Sequence, residues 1–269
     1  MVRFPGYFFL QNLIERRNLL WQLVRRDFQQ RFVGSIVGWI WGLIHPLVML
    51  FSWVFVFQWA LGVRLPAGEV TENYPLYLFA GFLPWLLFQE TLQRSATCLP
   101  EHANLITKTI FPSEMIPVSV FLSSLAGHLM ALVLVVAAIG IWERHISASL
   151  LFLPVHMLWL GLLAMGFAWI VASLQVYLRD TAQILSVLMT VWFWLTPIFI
   201  AERQYPEPVR FLLVVNPLAH LVRAYRERLL SNRWPGLEEV VALGVVSMTV
   251  FGLGGLFFRH LKRGFADVL

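Results

Sequence analysis

Leu129-Met130-Ala131-Leu132-Val133-Leu134-Val135-Val136-Ala137-Ala138-Ile139-Gly140-Ile141 contains no polar side chain. A membrane β-barrel strand would alternate apolar and polar residues, and this run does not. Lipid offers no hydrogen bonds to an exposed backbone, so a run of this kind crosses a bilayer as a helix. With its flanks it covers about residues 115 to 142, beyond the roughly 20 helical residues that a hydrocarbon core demands. Five more stretches reach that length, at 34 to 62, 74 to 93, 149 to 176, 183 to 201 and 238 to 258. Composition agrees: 59% of the 269 residues are hydrophobic and 13% are charged, against about 25% charged in soluble domains. The expected fold is an all-α membrane protein with six transmembrane helices.

Six spans place both termini on one side, and the basic residues indicate which. Arg3, Arg16, Arg17, Arg25, Arg26, Arg31, Arg94, Lys108, Arg179, Arg259, Lys262 and Arg263 lie on the terminal side, while the two shorter opposite loops hold Arg64 and Arg144. Both termini are predicted cytoplasmic, in a multi-pass inner-membrane protein. The first 33 residues interrupt their apolar residues with Glu15, Arg16, Arg17, Arg25, Arg26 and Asp27, so no cleaved signal peptide is expected. Net charge is +5, with the arginines at the ends of apolar spans, which points to lipid headgroups and away from nucleic acid.

Residues 10 to 32 set Leu10, Leu13, Ile14, Leu20, Trp21, Val24, Phe28 and Phe32 on one helical face and Arg16, Gln22, Arg25, Arg26 and Gln29 on the other. This predicts an N-terminal amphipathic interfacial helix within a segment 1–33, ahead of a membrane domain 34–258 and a cytoplasmic tail 259–269. Between spans five and six, residues 201–235 hold six arginines and also the apolar runs Phe211 to Val215 and Leu218 to Val222. Two short re-entrant outer helices split at Asn216-Pro217 accommodate both features.

Gly34, Gly38 and Gly42 recur every four residues at the start of span one and predict close helix packing there. Phe51, Phe55 and Trp59 share one face further along that span, and Trp192, Phe193 and Trp194 precede Thr196-Pro197 in span five. Apolar ring faces stack on the C–H faces of sugars, so these six aromatics are candidates for a sugar-conducting path. Between spans two and three, residues 99–112 are punctuated by Pro100 and Pro112. A short helix fits between them and leaves Glu101, Asn104, Leu105 and Lys108 available to a cytoplasmic partner.

Several chemistries lack their residues. Lys108 and Lys262 are the only lysines, and neither follows a glycine-rich turn, so there is no P-loop. The seven histidines are scattered without a second His or Cys at the spacing of a metal pair. Cys98 is the only cysteine, which excludes an internal disulfide. The few ionisable groups within or beside the spans are Glu90, Glu114, His45 and His128, sparse for an ion-driven carrier. A membrane-embedded transferase acting on lipid-linked sugar would need a reactive cluster beside a long loop, and none is evident.

Specific strings resemble the type-2 ABC exporter permeases, above all the branch that exports O-antigen, teichoic-acid and capsular polysaccharides. They are Arg26-Asp27-Phe28-Gln29-Gln30-Arg31-Phe32, Gly38-Trp39-Ile40-Trp41-Gly42 with His45-Pro46, Asn104-Leu105-Ile106 through Phe111-Pro112, Tyr177-Leu178-Arg179-Asp180, Trp192 to Ile198, and Asn216-Pro217-Leu218. The resemblance implies a homodimer paired with two cytoplasmic ATPase subunits, which supply ATP and Mg chemistry, no cofactor being held on this chain. It also implies a lipid-linked polysaccharide as cargo. Residues 99–112, with Glu101, His102, Asn104, Leu105 and Lys108, look like the segment coupled to the ATPase, and Arg179 and Asp180 like a second contact. The N-terminal helix resembles a gate at which Arg25, Arg26 and Arg31 meet carrier phosphates, and 201–235 resembles an external gate.

Overall fold

The computed structural model describes residues 15–31, 34, 35, 37–109 and 111–269. Among them the regular structure is helical: α1 Arg17–Gln30, α2 Trp41–Val54, α3 Tyr74–Glu101, α4 Ala103–Lys108, α5 Met115–Trp142, α6 Leu153–Tyr177, α7 Thr181–Trp194, α8 Arg210–Val215, α9 Pro217–Leu230, α10 Leu237–Leu261 and α11 Phe265–Val268. The predicted N-terminal helix is therefore seen from Arg17 onward, with Leu23 and Val24 buried and Arg25 and Arg26 exposed; the part of that expectation before residue 15 lies outside the described residues.

Local chemistry sets most boundaries. Asn73 caps α3, its Oδ1 accepting the Leu76 N–H at 3.3 Å, and Asn216 caps α9 by accepting the Leu218 N–H at 3.0 Å. Proline stands in the first turn of α3, α6 and α9, where its missing N–H is no loss. α10 begins with Glu238 and Glu239 and ends with Arg259 and His260, which complement its dipole at both ends. α2 contains Pro46 and widens into a π-helical stretch over Phe55–Ala60.

Among the described residues, four helical segments are long and apolar enough to cross a membrane by length and composition: Trp41–Ala60, Met115–Trp142, Ala148–Tyr177 and Leu237–Val268. Two of the six predicted spans are of another kind. α3 has 28 residues, but its second half carries Gln89, Glu90, Gln93 and Arg94, and it runs through the middle of the bundle against α5, α6, α7 and α9. α7 has 14 residues, roughly 21 Å of helix, short of a hydrocarbon core of about 30 Å. Its chain continues through a non-helical stretch around Pro197.

Gly34 and Gly38 do not form the predicted packing stripe. Their φ angles are +79° and +60°, and a Cβ on either would meet nothing within 4 Å. They turn the chain into α2, using the left-handed freedom that glycine alone has at no cost. Close approach is made elsewhere, between α6 and α10: a Cβ on Gly254 would lie 2.1 Å from the Gly166 carbonyl oxygen, and one on Gly166 would lie 2.5 Å from that of Val250.

The predicted break at Asn216-Pro217 is where α8 and α9 meet, and α9 fixes the end of the bundle opposite α4. Arg226 is 4% exposed. Its guanidinium donates to the carbonyls of Pro197 and Ile198, both at 2.6 Å, and to the Tyr77 carbonyl at 3.1 Å and hydroxyl at 2.9 Å, 3.6 Å from the centre of the Tyr77 ring. Gly81 on α3 makes room for it, since a Cβ there would lie 2.4 Å from the guanidinium. Asn216 Oδ1 also accepts the Trp192 indole N–H at 2.9 Å, and its Nδ2 donates to Thr196 Oγ1 at 3.2 Å.

Two expectations follow. Gly254→Ala lowers the stability of the detergent-solubilised protein by about 1–3 kcal/mol through overpacking, while Gly252→Ala, whose added Cβ meets nothing within 4 Å, leaves the melting temperature unchanged; equal melting of the two disproves the contact. Gly81→Ala destabilises to the same degree as Arg226→Lys, which cannot reproduce the planar fork of donors, and combining the two costs little more than either alone.

Candidate functional site

A cleft of about 640 Å³ lies between α1, α2, α3, α5 and α7. Along α3 its wall runs from Phe82 to Arg94, roughly 18 Å at 1.5 Å per residue. The α4 end of this wall is polar, with Arg31, Gln89, Glu90, Gln93 and Arg94 and with His45 across from them on α2. Toward the other end it becomes apolar and aromatic, lined by Trp53, Phe82, Leu83, Leu86 and Phe193. His128 stands in the α5 wall, its Nε2 hydrogen-bonded at 3.2 Å to the hydroxyl of Tyr225 on α9.

The polar rim is an ion-paired quartet. Arg94 Nη2 donates to both carboxylate oxygens of Asp27, at 2.6 and 2.7 Å. Arg31 pairs with Glu90, donates to Ser124 Oγ at 3.0 Å, and lies 4.0 Å from Asp27. Arg94 reaches the same Ser124 Oγ at 3.3 Å, and Glu90 at 3.9 Å. The side chains of these four charges are between 18% and 37% exposed, so solvent screens them incompletely, and together they tie α1 to α3 and α5.

Of the three arginines assigned to a gate, only Arg31 reaches the cleft; Arg25 and Arg26 are exposed on α1. Sequence reasoning singled out Glu90 and Arg31 separately but not their pairing, nor that of Asp27 with Arg94. The signal was present in the spacing, since Asp27 with Arg31 and Glu90 with Arg94 are acid-to-arginine pairs four residues apart on a helix.

The six aromatics proposed for a path are distributed. Phe193 alone of them lines the cleft, packed against Trp53 and Trp85 with ring centres at 5.4 and 5.2 Å. Trp192 packs edge-on to Phe88 and Phe167 and is held by Asn216. Phe51, Phe55, Trp59 and Trp194 are more than half exposed, and Trp59 meets both Phe51 and Phe55 edge-to-face near 6 Å.

The short helix predicted between Pro100 and Pro112 is α4. Glu101, Asn104 and Lys108 are exposed on it or at its start, Leu105 is half-buried, and His102 Nδ1 bonds the Cys98 carbonyl at 2.8 Å. Arg179 and Asp180 are exposed in the turn between α6 and α7, which Gln175 braces by donating to the Arg179 carbonyl at 2.9 Å and accepting from the Ala182 N–H at 2.7 Å. Tyr177 at the end of α6 donates to the Leu261 carbonyl at 2.8 Å, which brings this turn to the same end of the bundle as α11 and α4.

Relatives of known role share this chain along nearly its whole length. It is 27% identical over 263 residues to the O-antigen export system permease protein RfbA of Myxococcus xanthus, covering 96% of this chain and 98% of the relative. A protein of the same description from Klebsiella pneumoniae is 26% identical, over 94% of this chain and 95% of its own. The polysialic acid transport protein KpsM of Escherichia coli is 21% identical over 84% and 85%. Residues 18–230, from α1 to the end of α9, match the family model described as ABC-2 type transporter, and the chain belongs to that family.

Proposed function

We propose that this chain is the permease subunit of an ABC exporter that carries a lipid-linked, O-antigen-like polysaccharide across the bacterial inner membrane. The observation that carries the reading is the cleft, which passes from an ion-paired rim to an aromatic wall within one family member. Such a gradient suits a cargo with an anionic anchor and a sugar chain whose ring faces stack on aromatics. The relatives named for O-antigen export match more of this chain than the one named for polysialic acid transport. Capsular polysaccharide and teichoic acid are the alternative cargoes of the same machine.

In this reading six segments cross the membrane: α2 with its π-helical extension, α3, α5, α6, α7 with its non-helical continuation, and α10. Arginine and lysine distribution puts both termini and the α4 end in the cytoplasm. α1 lies along the inner leaflet and α8 and α9 re-enter the outer one. Two copies pair, and two separate ATPase subunits, with ATP and Mg, dock on residues 99–112 and on Arg179-Asp180. This chain is then not itself an enzyme.

Glu101→Ala combined with Leu105→Ala should cut the ATPase that co-purifies with the permease roughly tenfold, equivalent to about 1.4 kcal/mol, with matching loss of surface polysaccharide. Unchanged co-purification would remove the coupling role of this segment. At the rim, Arg31→Ala should lower export several-fold while Arg25→Ala and Arg26→Ala have smaller effects, since of these three only Arg31 reaches the cleft. Surface polysaccharide, normalised to permease in the membrane, measures this, and equal export by all three variants would refute a gate at Arg31.

A further inference from the structure

α4 has six residues, none of them buried. A helix so short has no stability of its own and takes its shape from what it packs against. Among the described residues, the helix it contacts most is α11. We propose that α11 is a positioning element for α4, holding it in the orientation in which it is seated on the ATPase. This rests on the permease reading above.

The anchoring of α11 is redundant in kind. Phe265 is 1% exposed and joins a small apolar cluster distinct from the main core, with Phe258 of α10, Val176 of α6 and Leu99 of α3; Ile106 of α4 and Leu20 of α1 pack onto it. Its ring centre is 5.4 Å from that of Phe258 and 6.1 Å from that of Tyr177. The preceding turn is fixed by polar contacts, with Lys262 paired to the buried Glu114 and the Tyr177 hydroxyl bonded to the Leu261 carbonyl at 2.8 Å. Gly264 allows the close passage, since a Cβ there would lie 2.6 Å from the Tyr177 hydroxyl.

α4 is thereby joined to α10 and α6 through an apolar cluster in which Phe265 is the contribution of α11. Phe265 acts on α4 through the cluster onto which Ile106 packs.

The test uses the full permease–ATPase complex in membranes, with Phe265→Ala, Ile106→Ala, the double variant, Phe265→Leu and a chain lacking residues 265–269. Permease in the membrane, ATPase retained on it, and polysaccharide exported per ATP hydrolysed are measured together. Permease levels within twofold of the parent are expected, with retained ATPase down about fivefold in each alanine variant and in the truncation. The double variant should be no worse than either single, because one contact is removed twice, and Phe265→Leu should recover most of the loss. Normal retention and coupling in the truncated chain, or additive losses in the double variant, would overturn the proposal. If Phe265→Ala fails to accumulate, the same cycle is run with Phe265→Leu and Ile106→Val and judged by the same additivity. A parent permease that retains no ATPase would instead defeat the permease reading, a distinguishable result.

Discussion

The buried guanidinium of Arg226 is the constraint on which the far half of the bundle depends. α7 stops after Trp194, and Pro197 cannot rejoin a helix that has lost its register. Carbonyls left open in an apolar interior cost several kcal/mol each. Arg226 satisfies two of them, at Pro197 and Ile198, and the Tyr74 hydroxyl a third, at Phe199. The charge is itself held by carbonyls, a phenol oxygen and a ring face rather than by a carboxylate. A non-helical stretch and a buried cation, each costly alone, are thus stable only together, and Gly81 leaves the space in which they meet.

That arrangement also links the two ends. Tyr225 and Arg226 are adjacent on α9; one bonds His128 in the cleft wall and the other fixes the exit of α7. Trp192, Thr196 and Asn216 complete the network, so the strings Trp192 to Ile198 and Asn216-Pro217-Leu218 are halves of one hydrogen-bonded joint. The main core reaches from this joint through the middle of α3, whereas the Phe265 cluster forms a second, smaller core at the α4 end. α3, α5, α6 and α10 each contribute to both, α3 with Leu92 in the first and Leu99 in the second.

Elements were legible in the sequence wherever one local rule sufficed. Apolar runs gave α5, α6 and α10, the paired prolines gave α4, and Asn216-Pro217 gave the junction of α8 and α9. Where two segments must meet, the sequence was silent or misleading. Glycines spaced by four pointed to packing at Gly34 and Gly38, but spacing does not reveal φ, and the close crossing belongs to Gly166 and Gly254, which are 88 positions apart in sequence. The outer arginines read as a stripe on amphipathic helices, yet Arg226 and Arg228 are buried, and the acceptors of Arg226 come from Tyr77, Pro197 and Ile198, which no periodicity identifies. The aromatic excess was likewise real, but which ring faces the cleft depends on how α7 is rotated against α3.

The rim of the cleft carries the same lesson into function. Free arginines at a membrane surface bind any phosphate, including the headgroups that surround them in excess. Arg31 is instead already paired with Glu90 and Arg94 with Asp27, so an anion must displace a carboxylate to engage either. Affinity is lowered by that competition, and selectivity rises with it, since only a ligand that also fits the apolar length of the cleft recovers the difference. The pairs join α1 to α3, so under the proposed function a displacement that admits an anion would also remove that tie. In an exporter of lipid-linked polymer, recognition of the anchor and release of the helix beside the cleft would then be one event, governed by charges whose partners lie 59 and 67 residues away in sequence.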